Sequence, residues 1–355
     1  MSSFSKLLNS PPASVCLLRL SAIGDTCHAL AVLRRLQAAW PATRFTWIIG
    51  KFEHKLMQLA PDVEFISYDK KGGLRELRRL RGLLAQRRFD LLLHMQLALR
   101  ASAIAALVRA PIKLGFDRRR ARELQWLFTN RRIADRGNEH VLDGLFGFAD
   151  ALGVAASPPR WDLPLPASAC AYAQTLIPDT QPTLLISACS SHALRNWRAE
   201  RYAAVADHAA AAHGMRVILC GGPGPSERAM AEAILAACQR QPLDQVGKDT
   251  LPELLALMAR ATAIVTPDSG PAHMGTLVGL PVIGLYAATN PARSGPYLSR
   301  AHCVDRYPDA ARTFLGREPE ELPWTTKIER PGVMDLITPD DVCARLDAVL
   351  AAVTG

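Results

Sequence analysis

The chain has 355 residues, of which 49% are hydrophobic and 21% charged, so it is long enough to bury two cores of ordinary size. No stretch gives the roughly 18 uninterrupted apolar residues of a membrane span, because the best candidate, 91–108, contains His94 and Arg100. The net charge of +9 is uneven: residues 1–150 hold 25 Lys and Arg against 13 Asp and Glu, a net of +12, and residues 151–355 hold 17 against 20, a net of −3. A basic half is typical of proteins that meet a polyanion, and a solvated arginine-rich face is the alternative.

The N-terminal half alternates short apolar runs with helical patterns. Strands are predicted at 15–20, 45–49, 63–68, 91–94 and 112–115, and helices at 28–39, 74–88 and 101–109, with a turn at 21–25. This alternation favours an α/β fold with a parallel, doubly wound sheet.

The composition changes at 153–182, where repeated prolines interrupt any long element. Beyond it the alternation restarts, with strands at 183–187, 216–220, 263–266 and 282–286 and helices at 199–213, 226–237, 251–260 and 272–278. A last helix begins at Thr338, which can cap it ahead of Pro339. We therefore predict an N-terminal domain (1–160), a linker (161–182), a C-terminal domain (183–335) and a C-terminal helix (336–355).

The eight cysteines are scattered and form no C-x-x-C pair, so we interpret them as core thiols rather than metal or redox sites. The apolar run at the N-terminus, Leu7 and Leu8 ahead of Pro11, is too short for a secretory signal. We therefore expect a cytoplasmic protein.

The loops that follow strands are where ligands collect in a parallel α/β sheet. Residues 266–273 leave a strand and enter a helix, and Gly270 lets the backbone approach a ligand closely. A helix N-terminus supplies the unpaired N–H groups that a pyrophosphate requires. The alternative is that Asp268 and Ser269 only cap this helix.

Two further loops of the second half follow strands. Residues 187–197 supply Ser190 and Arg195, and Arg195 is suited to bidentate phosphate binding, although a surface arginine before a helix is the alternative. The glycine-rich turn at 221–224 matches neither a P-loop nor a dinucleotide fingerprint and is weak evidence by itself.

In the first half, residues 21–25 follow the first strand and lack the glycine spacing of a dinucleotide fingerprint, which argues against a dehydrogenase. Asp25 is placed to accept a proton from an incoming hydroxyl, as a general base does. A helix N-cap is the alternative for this residue.

Three segments together resemble glycosyltransferase family 9, the bacterial lipopolysaccharide heptosyltransferases. They are Arg19-Leu20-Ser21-Ala22-Ile23-Gly24-Asp25 with His28, Asp268-Ser269-Gly270-Pro271-Ala272-His273, and Tyr286-Ala287-Ala288-Thr289-Asn290-Pro291 continuing to Gly295-Pro296-Tyr297. The D-[ST]-G-x-x-H element ahead of Y-x-x-T-x-P is specific. The resemblance implies a GT-B fold, in which two Rossmann-like domains face an interdomain cleft, the N-terminal one binding the acceptor and the C-terminal one ADP-heptose.

Within the family, the segments 17–25, 47–51 and 69–71 are most similar to the heptosyltransferase I subgroup. It implies inverting transfer of L-glycero-D-manno-heptose from ADP-heptose to Kdo of the lipopolysaccharide inner core, without a cofactor or an obligatory metal. Transfer onto an existing core heptose, as in heptosyltransferases II and III, is the alternative.

The resemblance also implies roles for single residues. Asp25 falls on the general base, and Arg195 falls where the family commonly has lysine, so its help to the departing diphosphate is electrostatic. The implied donor contacts are Asp268, Ser269, Gly270, His273, Ser190 and Asp249. An apolar residue often occupies the position of Asp249 in the family, which leaves the adenosine contact open.

The implied acceptor, Kdo-lipid A, carries carboxylates and phosphates and lies in an anionic membrane. Binding this acceptor would explain the excess of basic residues in the N-terminal half. The acceptor candidates are Arg19, Lys70, Lys71, Arg75, Arg120 and Arg122, together with Arg118 and Arg119. We therefore expect peripheral association with the cytoplasmic face of the inner membrane and no nucleic-acid partner; the sequence leaves the oligomeric state open and is compatible with a monomer.

Two rival interpretations remain. A non-enzymatic RNA- or membrane-binding module explains neither the loops of the second half nor Asp25, and the arginine-rich stretches lack interleaved aromatic residues. A sugar-nucleotide epimerase on the same architecture would not require an acceptor.

Overall fold

The chain forms two compact units, Met1–Pro164 and Leu165–Gly355, which are described separately. The computed structural model describes residue 8 and residues 10–354, so Leu7 of the N-terminal apolar run lies outside the described residues. The division falls inside the segment predicted as a linker.

The N-terminal unit is a six-stranded parallel sheet with helices on its faces. Its strands are β1 (Ser14–Leu18), β2 (Arg44–Gly50), β3 (Val63–Tyr68), β4 (Leu91–His94), β5 (Ile112–Gly115) and β6 (Arg131–Arg132), in the order β3-β2-β1-β4-β5-β6. Its helices are α1 (Ile23–Ala39), α2 (Lys51–Met57), α3 (Gly73–Ala85), α4 (Leu99–Leu107) and α5 (Val141–Ala151). In the register of the central strands, Leu18 of β1 lies opposite Ile48 and His94.

The C-terminal unit repeats this topology. Its strands are β7 (Thr183–Ile186), β8 (Arg216–Leu219), β9 (Leu243–Asp244), β10 (Ala263–Pro267), β11 (Val282–Tyr286) and β12 (Val304–Asp305), in the order β12-β11-β10-β7-β8-β9. Its helices are α6 (Ala167–Leu176), α7 (Ala199–His213), α8 (Pro225–Ala237), α9 (Leu251–Arg260), α10 (Gly270–Leu277), α11 (Pro291–Ser294), α12 (Tyr307–Leu315) and α13 (Pro339–Thr354). Counted from its own first strand, this unit has the strand order of the first.

The central strands are nearly continuous apolar runs because each sheet is covered by helices on both faces, which buries side chains on both sides of these strands. β4, β7 and β11 are buried along their full length. On one face of each sheet, side chains of the strands and the covering helices form a core, such as Leu18 with Ile104 in the first unit and Leu184 with Val205 in the second. The predicted α/β class and the GT-B pair of doubly wound parallel sheets are confirmed.

Two local predictions were wrong. The turn predicted at 21–25 ends earlier, because α1 begins at Ile23 and places Asp25 in its first turn. The proline-rich segment contains α6, since Pro166 precedes this helix and Pro178 follows it, so the prolines flank the helix and do not interrupt it. The cap predicted at Thr338 is confirmed: its hydroxyl accepts the Asp341 N–H at 3.2 Å.

All eight cysteines are free thiols. Cys16, Cys27, Cys220, Cys238 and Cys303 are buried, in agreement with the prediction of core thiols, whereas Cys170 is exposed. Among the described residues, no helix combines the length and the apolar character that crossing a bilayer requires.

Candidate active site

The strand order of each unit reverses at one place, and the loops leaving that place carry the residues singled out from the sequence. In the N-terminal unit the reversal lies between β1 and β4, and in the C-terminal unit between β7 and β10. Ligands of doubly wound sheets bind outside the carboxyl ends of the strands at such a point.

Arg19 follows β1 and joins the two central strands of the N-terminal unit. Its Nε donates to the Ser21 carbonyl at 2.9 Å, and its Nη1 donates to the carbonyl of Met95, just after β4. The remaining nitrogen, Nη2, lies 2.5 Å from Asp25 Oδ2. The guanidinium therefore holds Asp25 at the carboxyl ends of β1 and β4.

Asp25 occupies the third position of α1. Its Oδ2 also accepts the Ala22 N–H at 3.1 Å, so the carboxylate satisfies one of the unpaired amides at the helix start. The alternative role predicted for Asp25, as a helix N-cap, is therefore partly correct: Asp25 does cap the start of α1, but from the third helical position and not from the N-cap position. The side chain is still 34% exposed, which leaves it accessible to a substrate hydroxyl.

Two glutamines that the sequence analysis did not single out shape this end of the sheet. Gln96 accepts the Leu20 N–H at 2.6 Å and donates to Ser21 Oγ at 3.3 Å. The fully buried Gln125 donates to the carbonyls of His94 and Gln96, at 3.0 and 3.1 Å, and accepts the Phe116 N–H. No motif surrounds either residue, so only the fold identifies them.

The predicted acceptor residues fall into two groups. Lys70 lies at the carboxyl ends of β1 and β2, with its Nζ 2.7 Å from Glu53 Oε1. A Cβ at Gly50 would lie 2.8 Å from Lys70 Cε and 2.3 Å from the Leu20 carbonyl, so glycine is required there. The exposed residues are Lys71, Arg75 and Arg122.

Arg120 is paired with two carboxylates of its own unit. Its Nε donates to Asp117, its Nη1 donates to Glu139 Oε1 at 2.9 Å, and its Nη2 donates to the Ala134 carbonyl at 3.3 Å. Asp117 is buried. These contacts give Arg120 a structural role.

Arg195 is the centre of the C-terminal cluster. Its Nη1 lies 3.2 Å from Asp268 Oδ2, while its Nε and Nη2 donate to Glu329 Oε1 at 2.8 and 2.6 Å. Only 13% of the Arg195 side chain is exposed. Burial raises the pKa of Glu329, but the hydrogen bonds and charge of Arg195 outweigh it, so the net pKa lies below the ordinary value. Glu329 was missed because it lies outside any helix, strand or motif.

The loops after β7 and β10 are also tied together by Ser190, whose hydroxyl donates to the Asp268 carbonyl at 2.9 Å. The Ser269 and Thr266 hydroxyls lie 2.8 Å apart, and Ser269 makes no side-chain cap bond to α10. The capping alternative for Ser269 is therefore wrong. Gly270 begins α10, and His273 is buried in the first turn of that helix.

The Tyr286 to Pro291 motif ends β11. The Tyr286 hydroxyl donates to the Ser294 carbonyl at 3.3 Å, and Asn290 caps α11 by accepting the Ala292 N–H at 2.9 Å. Burial raises the pKa of Tyr286 well above its ordinary value, so the phenol stays protonated. The buried Thr289 hydroxyl has no hydrogen-bond partner among the described residues.

Asp249 lies after β9, away from the Arg195 cluster. The Tyr172 hydroxyl donates to Asp249 Oδ1, and Oδ2 is buried without a partner among the described residues. Burial raises the pKa of Asp249, although the bond from Tyr172 opposes the shift. The structure therefore does not join Asp249 to the other predicted donor residues by any described contact.

The glycine-rich turn after β8 is occupied by the chain itself. The Gly222 N–H donates to Glu227 of α8, and a Cβ at Gly221 would lie 2.7 Å from a Glu227 oxygen. The Gly222 amide therefore already has an acceptor inside the chain. Beside it, a small apolar pocket opens between the ends of β7 and β8, lined by Ile186, Ala188, Cys189, Leu219, Cys220 and Val246 among others.

The sequence is similar to that of known proteins over most of its length. Residues 77–320 match the family described as glycosyltransferase family 9 (heptosyltransferase). The lipopolysaccharide core heptosyltransferase OpsX of Haemophilus influenzae is 42% identical over 340 residues, which cover 96% of this chain and 98% of that protein.

Solved structures share the architecture. A family 9 glycosyltransferase from Veillonella parvula superposes with a TM-score of 0.79 at 23% identity, covering 96% of this chain and 97% of that one. The Escherichia coli ADP-heptose lipopolysaccharide heptosyltransferase II gives a TM-score of 0.75 at 19% identity, covering 96% and 100%. At this level of identity the likeness shows the fold.

Proposed function

Because the chain belongs to glycosyltransferase family 9, the heptosyltransferase family, we propose that it moves L-glycero-D-manno-heptose from ADP-heptose to Kdo of the lipopolysaccharide inner core. The chain is a glycosyltransferase, and a heptosyltransferase of the lipopolysaccharide core.

The observation that carries the donor side is the position of Arg195 beside Asp268 at the β7/β10 reversal. The guanidinium and the amides at the start of α10 supply positive charge at one strand end. ADP leaves as a diphosphate that gains negative charge as the anomeric carbon–oxygen bond breaks. Preorganised positive groups stabilise this charge without a reorganisation cost at the moment of reaction.

Asp25 supplies the general base. It takes the proton of the acceptor hydroxyl while that oxygen bonds to the anomeric carbon, and the bond to ADP breaks with its electron pair leaving on the phosphate oxygen. One base suffices because a single displacement forms no covalent enzyme intermediate. Arg19 holds this carboxylate in place at 2.5 Å.

The acceptor side rests on basic residues of the N-terminal unit. Lys70 lies at the ends of β1 and β2, and Lys71, Arg75 and Arg122 are exposed. These cations suit the carboxylates and phosphates of Kdo-lipid A. We also propose that the protein associates peripherally with the membrane that carries this acceptor. Arg120 is not among the proposed acceptor contacts, because its own contacts give it a structural role.

Transfer to Kdo, and not to a core heptose, is supported by segments 17–25, 47–51 and 69–71, which resemble heptosyltransferase I. Residues 17–25 join the end of β1 to the start of α1, residues 47–51 join the end of β2 to the start of α2, and residues 69–71 form the turn that contains Lys70. Heptosyltransferase II- or III-type transfer remains the alternative.

The proposed reaction needs no cofactor and no obligatory metal, since Arg195 and the start of α10 supply the positive charge. Among the described residues, a group that could hold a metal ion is His208, His213 and Asp347. Because α7 runs back from the carboxyl edge of the sheet and ends at His213, this group belongs to the opposite edge.

Mass spectrometry of lipopolysaccharide from a strain lacking this protein tests the proposal. Truncation directly after Kdo is expected, and a core that retains its first heptose would overturn the position of transfer. In a turnover assay with ADP-heptose, ADP release should require Kdo-lipid A. Conversion of ADP-heptose without an acceptor would instead favour the epimerase alternative.

A further inference from the structure

The carboxyl edge of the N-terminal sheet exposes large apolar side chains. Most of the exposed large apolar residues in the described part of this unit lie at the beginning of the helices that follow β2, β3 and β4, or in the turn after β5: Phe52, Leu74, Leu99, Leu124, Trp126 and Leu127. Because the strands are parallel, these segments begin at the same edge of the sheet. Leu83 lies near the end of α3 and belongs to the opposite edge.

The three apolar residues after β5 are held outward by a buried anchor. Gln125 is fully buried and bonds to the ends of β4 and β5, whereas Trp126 and Leu127 beside it are 44% and 66% exposed. The turn is therefore attached to the sheet at its centre while its apolar neighbours face solvent.

Backbone strain marks the same turn. Glu123 and Leu124 both adopt left-handed conformations, with φ of 49° and 61°, which non-glycine residues rarely do. Glu123 Oε2 accepts the Leu99 N–H at 2.5 Å, which ties this turn to the start of α4. Strain of this kind persists where the surroundings over-determine a conformation, and it clusters at functional sites.

Basic side chains lie on the same segments. Lys71, Arg75, Arg100 and Arg118 are exposed, and none of them forms an ion pair with another residue that the structure describes. Positive charge beside exposed leucines and a tryptophan is the composition that anionic bilayers attract, because the apolar groups enter the interface while the cations meet headgroups.

We propose that this amphipathic edge, comprising Phe52, Leu74, Leu99, Leu124, Trp126 and Leu127 with the basic residues beside them, docks onto the surface of an anionic phospholipid bilayer. The inference rests on the proposed function, in which the acceptor is anchored in such a bilayer. Leucines have no flat face on which a base can stack, so the surface fits lipid better than single-stranded RNA. The exposed large apolar residues described in the C-terminal unit are Leu243 and Leu298.

The test is co-sedimentation of the full chain with vesicles of phosphatidylglycerol and phosphatidylethanolamine. The variant carrying Trp126→Ser and Leu127→Ser is expected to bind about tenfold more weakly or worse. Leu83→Ser, in the same unit at the opposite edge, is the matched control and should bind like the parent. Both should keep the parent's melting temperature, because the substituted side chains are exposed.

Three further measurements separate the causes. Binding should weaken with salt and on pure phosphatidylcholine, because charge attracts the headgroups. Tryptophan emission should shift to the blue on vesicles, and Trp126→Phe should remove that shift while keeping binding. Equal binding by the double variant and the parent, or retention on RNA without vesicle binding, would overturn the proposal.

Transfer to a delipidated, water-soluble Kdo acceptor separates this proposal from the proposed function. The double variant should turn over that acceptor like the parent, while losing activity on vesicle-borne acceptor. If the parent transfers nothing to Kdo but binds vesicles through this edge, the assigned acceptor is wrong and the docking surface stands.

Discussion

Arg195 and Asp268, 73 residues apart in the sequence, meet at 3.2 Å and join the loops after β7 and β10. The same guanidinium binds Glu329, so one cation is shared by two carboxylates. These contacts fix the Arg195 side chain before a diphosphate binds. Less side-chain conformational entropy is therefore lost on binding.

Arg195→Ala should raise the Kd for ADP by about tenfold to a hundredfold, since hydrogen bonds between charged groups are worth about 1.5–3 kcal/mol. It also leaves Asp268 and Glu329 without their shared cation. The Kd of Arg195→Lys for ADP should lie between the values of the parent and of Arg195→Ala, because lysine keeps the positive charge but cannot form the bidentate contact. Calorimetry measures the affinities, with Arg198→Ala, whose partner Asp335 lies elsewhere, as control. Unchanged ADP affinity in Arg195→Ala would remove this role.

Asp25→Asn should lower transfer by about 10²- to 10⁴-fold, the range for loss of a general base, while the Kd for ADP-heptose stays unchanged. The amide oxygen can still accept the Ala22 N–H, so the start of α1 should keep its fold. Single-turnover rates and donor affinity are measured together. Asp62→Asn, an exposed residue before β3, is the control. Near-parental turnover in Asp25→Asn would show that another group takes the proton.

Asp249→Asn should raise the melting temperature at pH 7. Burial raises the pKa of Asp249 in the folded state, so its contribution to stability is present below the unfolded pKa and is lost as pH rises through the folded pKa. The neutral amide of asparagine avoids this loss. The difference in melting temperature between the variant and the parent should therefore become smaller as the pH is lowered towards 4. Scanning calorimetry across that range measures it, with the exposed Glu320→Gln as control. A gain independent of pH would exclude the carboxylate charge as its cause.

Removal of divalent metals with EDTA should leave kcat/KM unchanged. If the group of His208, His213 and Asp347 holds a metal, chelation should lower only the melting temperature, because this group joins α7 to α13. Asp347→Asn should then abolish that sensitivity. Loss of turnover that Mg²⁺ restores would contradict a metal-independent reaction.

The elements predicted most accurately are those with strong and continuous patterns. β3, α7, α9 and β11 begin and end where the sequence places them. The strands β6, β9 and β12 were missed because two residues carry no periodicity. Membership of glycosyltransferase family 9 and the enzyme class, both predicted from three short motifs, are confirmed by the comparisons.

The site was predictable where a motif lies next to a strand end. Asp268 and Arg195 were found in this way, and their contact then follows from the pairing of β7 with β10. Glu329, Gln96 and Gln125 were not, because each acts through a partner distant in sequence and belongs to no motif. The roles of the predicted site residues stay predictions until the variants are measured.

The buried cysteines allow the opening of each unit to be measured separately by thiol labelling. Burial raises the pKa of Cys27 in the first unit, and raises that of Cys303 in the second to about 12. Alkylating reagents attack the thiolate, so these sulfurs react only when their unit opens. Pulsed labelling read by peptide mass would therefore time the two openings separately in one sample. Added ADP should slow labelling of Cys220 and Cys303 and leave Cys16 and Cys27 at their original rates.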